Sequence, residues 1–68
     1  MVNTKSISDR IREKGMNQTG VSEALGIRQS TLSLKINNKR PLYLDEAMRL
    51  ARILDIPDCE FGLYFFAQ

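Results

Sequence analysis

Apolar residues recur at helical spacing along most of this chain, and polar residues fill the positions between them. Ile7 and Ile11 lie four apart and form the inward stripe of a first helix over about 6–14. Ser6 or Thr4 can cap it, and Gly15 ends it. Met1 to Lys5 has no periodicity and is expected to fray. Arg10, Arg12 and Lys14 are expected to stay in water. A second helix spans about 18–25, with Val21, Ala24 and Leu25 apolar, Asn17 as its cap and Met16 as an outside staple. Gly20 inside it costs about 1 kcal/mol relative to alanine, which marks either a close backbone approach or a poorly optimised turn.

Gly26 and Ile27 form a tight corner, with Arg28 at the cap position of a third helix over about 29–37. Lys39, Arg40 and Pro41 then make a basic connection. A fourth helix, about 44–54, carries Leu44, Ala47, Met48, Leu50, Ala51 and Leu54 as a broad apolar stripe, and Asp45 and Glu46 complement its positive N-terminal end. Asp55-Ile56-Pro57 breaks it. Asp58 can cap a last helix over about 59–64, with Phe61, Phe65 and also Leu63 able to turn inward. Leu63 to Ala67 is the one stretch where a strand is an alternative. The pattern predicts an all-α fold, a compact bundle of four to five helices in a single domain over 1–68.

Composition narrows the classes. The chain has 68 residues, 43% hydrophobic and 26% charged, which is ordinary globular material. One cysteine and no histidine exclude an internal disulfide and a Cys/His metal site. Cys59 is expected to be a small buried apolar residue. There is no Gly-rich phosphate loop and no catalytic arrangement of acids, so neither enzyme activity nor a cofactor is expected. No apolar run approaches the roughly 18 residues of a membrane span, and no apolar signal core precedes Lys14, so the expected location is the cytoplasm.

The charges are unevenly placed. Met1 to Leu42 carries eight bases and three acids, whereas Tyr43 to Gln68 carries two bases and five acids. Ala24 to Leu44 contains Arg28, Lys35, Lys39 and Arg40 and no acid. A basic segment beside an acidic support fits a surface facing a polyanion, although so short a chain can also reach this asymmetry by chance.

The third helix adds the most specific chemistry. At about 100° per residue, Leu32 and Ile36 point inward, while Ser30, Ser33, Leu34 and Asn37 share the opposite side and Gln29 flanks them. Neutral hydrogen-bonding groups suit base edges in the major groove of duplex DNA, and Leu34 suits a thymine methyl. Arg28, Lys35, Lys39 and Arg40 flank that face where phosphates would lie. A solvated helix face with one stray leucine fits the wheel equally well.

The run Gln18-x-x-Val21-Ser22-x-x-Leu25-Gly26-Ile27, then Gln29-Ser30-Thr31-Leu32-Ser33, resembles the helix-turn-helix of the Cro and phage-repressor (lambda repressor-like) family. The likeness continues through Asn37-Asn38-Lys39-Arg40-Pro41-Leu42 and Leu44-Asp45-Glu46-Ala47, covering about Ile7 to Ile56. It implies a DNA-binding repressor, with Gln29, Ser30, Ser33 and Leu34 at base edges. It places Gln18 at a phosphate or in support of the base-reading glutamine, and the residues around Asn37 to Arg40, Asn38 included, at the phosphate chain. It also implies a homodimer on a pseudo-palindromic operator, with no small-molecule effector. Three departures stand out. Ser22 replaces the usual alanine and needs a partner for its hydroxyl, Asn38 stands where glycine is common, and Tyr43 stands where serine or threonine usually caps the fourth helix.

The aromatic C-terminal segment can complete the core through Phe61 and Phe65. It can also offer Leu63, Tyr64 and Phe66 as a dimer contact. The alternative function is a protein-interaction module, antitoxin-like or anti-regulator, that binds a partner through a helical groove or this aromatic tail.

Overall fold

Four helices of this protein stop in the same way, and those stops set its shape. The computed structural model describes residues 1–66. α1 is Thr4–Glu13, α2 Gln18–Leu25, α3 Gln29–Ile36 and α4 Leu44–Ile53. A 3₁₀ turn, Asp58–Glu60, leads into α5, Phe61–Phe65. Gly15, Gly26, Asn38 and Asp55 follow α1 to α4 in turn, each with positive φ, between 53° and 76°. After each, backbone amides fold back onto the last carbonyls of the helix, as in Met16 N–H to Ile11 O at 3.0 Å and Ile56 N–H to Ala51 O at 2.8 Å. Glycine adopts this conformation freely, and asparagine and aspartate are the side chains that tolerate it best.

The starts are local too. Asn3 accepts from Ser6 N–H at 3.1 Å, and Asn17 accepts from Gly20 N–H at 2.8 Å. The cap of α1 is therefore Asn3, not Ser6 or Thr4, and the helix begins two residues earlier than the apolar spacing suggests. Tyr43 precedes α4, and the Glu46 carboxylate accepts from its backbone N–H at 3.2 Å, which is the N3 half of a capping box.

All five helices feed one core. Ile7, Val21, Leu32, Ile36, Leu50 and Leu54 are its most completely buried side chains, and Val2, Leu25, Ile56 and Phe65 close its margins. α2 packs on both α3 and α4, and α5 lies against α1. The described residues form an all-α body of 26 × 25 × 20 Å without strands. No helix among them is long and apolar enough to cross a membrane.

Several expectations are corrected. Residues 1–5 do not stand free: Val2 is buried, Asn3 N–H donates to Tyr64 O at 2.7 Å, and the Thr4 hydroxyl donates to Ile36 O at 2.7 Å. Arg10 does not stay in water. Its Nε donates to Leu54 O and its Nη2 to Asp55 O, both at 2.8 Å, so it caps the C-terminal end of α4. Lys14 pairs with Asp55 at the same end, and this pairing holds the Asp55 carboxyl below the usual carboxylate range. The apolar stripe of α4 is split, with Ala47, Leu50, Ala51 and Leu54 inside and Leu44 and Met48 exposed. Ala24 is exposed, and so is Cys59, because the 3₁₀ turn holds it away from the core. Leu63 to Phe65 is helical, whereas Ala67, the end of the stretch open to a strand alternative, lies outside the described residues.

Candidate nucleic-acid interface

α3 has an inner and an outer side that follow directly from its sequence. Leu32 and Ile36 are fully buried. Gln29 and Ser30 are exposed at its first turn, Ser33 is half-buried, and Leu34 is 37% exposed. Of the side chains that the wheel places outward, Ser30, Leu34 and Asn37 thus meet water and Ser33 does so in part, with Gln29 exposed at their flank. Asn37 lies just past the helix, and its Nδ2 donates to Ser33 O at 2.8 Å. That bond closes the last turn and draws Asn37 toward Ser33.

Three supports hold this helix in place. At its start, Gly26 turns the chain with φ 76°, and the Arg49 guanidinium of α4 donates to Leu25 O at 2.8 Å, capping the end of α2. Ser22, at the buried face of α2, satisfies its hydroxyl by donating to Thr19 O at 2.8 Å, so the departure from alanine costs no orphaned polar group. Along its length, Lys35 pairs with Glu46 of α4, and its ammonium stands 5.6 Å from the Tyr43 ring centroid. At its end, Asn38 makes two bonds with Val2: its Oδ1 accepts from Val2 N–H at 2.9 Å, and its Nδ2 donates to Val2 O at 3.0 Å. The N-terminal segment and α4 therefore clasp α3 from two sides.

These supports change the assignment of the phosphate-facing residues. Lys35 was expected at a phosphate, but its side chain is only 12% exposed and its charge meets Glu46, itself 19% exposed. Lys35 also holds the Glu46 carboxyl below its usual range. Asn38 was expected there too, but the polar atoms of its side chain are committed to Val2. Arg28, Lys39 and Arg40 are exposed, and none has a carboxylate partner among the described residues. They bracket α3, with Arg28 immediately before it and the other two shortly after. Gln18 is half-exposed at the start of α2.

Residues 2–68 match a protein family described as a protein of unknown function, DUF739. The chain belongs to that family. No curated protein matches it.

The aromatic segment divides its roles in this DUF739 fold. Leu63 is 67% exposed and Phe66 is 60% exposed, as a contact surface would require. Tyr64 is half-buried and packs on the core beside Phe65, with ring centroids 6.5 Å apart. Phe65 is buried, and Phe61 leans on it at 4.7 Å. The exposed leucine and methionine of α4 carry no mark in the sequence that sets them apart from core residues. Leu44 and Met48 lie four apart, so they share a helix face, and what tells them from core residues is that no element among the described residues covers them.

Proposed function

We propose that this protein binds duplex DNA sequence-specifically as a helix-turn-helix repressor of the Cro type, with α3 in the major groove. The reading rests on one arrangement. α3 presents Gln29, Ser30 and Leu34 to water with Ser33 half-buried beside them, while Arg28, Lys39 and Arg40, at its two ends, have no carboxylate partner among the described residues. Neutral hydrogen-bonding groups read base edges, and flanking cations take phosphates and set the register. Gln18 contributes from the start of α2, either to phosphate or to the orientation of Gln29. Lys35 and Asn38 serve by holding α3 rather than by touching DNA. Two copies pair through Leu63 and Phe66, so that two α3 helices address successive major grooves about 34 Å apart on a pseudo-palindromic site. The protein acts by binding, not by catalysis, and needs no cofactor or small-molecule effector. It works in the cytoplasm, where the DNA is.

Selection from random duplex DNA tests the reading. A preferred site with two-fold symmetry is expected. Gln29→Ala should relax one base position and cost roughly 1–3 kcal/mol, while Lys39→Ala should weaken all sequences alike and lower the salt slope by about 0.9. An unchanged preferred sequence for Gln29→Ala would remove that residue from the reading face. No enriched site at all, at low salt, would defeat the proposal.

A further inference from the structure

Beside the bases that follow α3 lies a groove of about 430 Å³. Its walls combine two chemistries. Lys39 and Arg40 line one part, and Leu42, Leu44, Phe65 and Phe66 are among the apolar residues that line the rest. Leu44 is 59% exposed at the first turn of α4, and no element of the described chain covers it. A phosphate backbone would use the two cations and leave the apolar wall idle. An apolar partner alone would leave the two cations unmatched. An occupant that satisfies both carries carboxylates next to a leucine or an aromatic residue.

We propose that this groove binds an acidic, apolar-anchored segment of another protein, and that such a segment excludes DNA. A second copy of this chain fits less well. Two-fold pairing brings the same patch against itself, and Lys39 and Arg40 of each copy would then face each other in a groove lined by no acid among the described residues. Leu63 does not line the groove and is left for pairing, while Phe66 belongs to both surfaces. A segment seated here therefore contends with phosphate for Lys39 and Arg40, and with pairing for Phe66. The apolar wall supplies the anchor and the cations supply charge selection, the division between buried centre and polar rim found in protein interfaces. The competition rests on the DNA reading given above; the groove does not.

The test is selection of a displayed random-peptide library against the whole protein, followed by anisotropy titration of the enriched peptides. Peptides with Asp or Glu beside Leu or Phe should be enriched. Leu44→Gln should weaken them by about tenfold or more while leaving duplex DNA binding unchanged. Arg40→Ala should weaken both peptide and DNA, and duplex DNA should displace the peptide. The absence of enrichment, enrichment of peptides without carboxylates, or indifference to Leu44→Gln would each overturn the proposal. So would a dimer in sedimentation that Leu44→Gln dissolves, which would give the groove to a second copy. Enriched acidic peptides sensitive to Leu44→Gln, with no duplex binding, would support the groove and defeat the DNA reading alone. Displacement failing while both ligands bind would overturn the exclusion.

Discussion

Lys35 tests whether a basic side chain of α3 serves the proposed DNA contact or the fold. Replacing it with methionine keeps most of the unbranched apolar stem and removes the charge. A fully exposed ion pair contributes at most about 1 kcal/mol, and removing one partner of a fully buried pair costs about 3–5 kcal/mol. The Lys35–Glu46 pair lies between these limits, because both side chains are mostly covered, while Glu46 keeps its bond from Tyr43 N–H when the lysine is gone. Lys35→Met should therefore cost about 2 kcal/mol, seen as a fall in melting temperature of about 8–16 °C for a domain of this size. The acid side of the stability profile should change as well. The Glu46 carboxyl is held below its ordinary range chiefly by Lys35. Its contribution is thus present above the ordinary glutamate value and is lost as pH falls through the lowered one. In Lys35→Met that loss should shrink, so the acid limb flattens. DNA binding supplies the decisive measurement. A lost phosphate contact lowers the slope of log K against log salt by about 0.9. Lys35→Met should leave the slope unchanged, whereas Lys39→Ala should lower it. A lowered slope for Lys35→Met together with unchanged stability would refute the positioning role and return Lys35 to the phosphates.

Two further substitutions probe the clasp and the helix contact. Asn38→Gly keeps the left-handed turn and loses the two bonds to Val2, at about 1–3 kcal/mol in urea unfolding, and Asn38→Ala should cost about 1 kcal/mol more, because alanine must also adopt the positive φ. Equal costs for the two would show that backbone conformation contributes nothing there. Ser22→Ala removes a hydroxyl bonded only to Thr19 O in its own helix, so stability should stay within about 0.5 kcal/mol, and a larger loss would reveal a partner beyond that carbonyl.

The sequence by itself determined the features that depend on neighbours in the chain. Asn17 could be recognised as a cap, Gly15 and Gly26 as helix stops, and Asn38 as a residue fit for positive φ, because each acts on backbone groups a few residues away. Ile7, Ile11, Leu32 and Ile36 were identifiable as core from spacing alone, since a helix repeats its facing side every three to four residues. The outward placement of Ser30 and Leu34 followed from the same geometry. Tertiary structure decided everything that depends on distant partners. Arg10 is separated from Leu54 by 44 residues, and Asn38 from Val2 by 36, so no local pattern marks these side chains as already bonded. Lys35 looked like its neighbours Lys39 and Arg40 until the packing of α4 brought Glu46 beside it. Leu44 and Met48 matched the spacing of a core stripe, but burial requires a covering element as well as a correct angle, and none of the described elements covers them. Spacing along a helix sets direction; which directions meet protein and which meet water is set by the arrangement of the other helices.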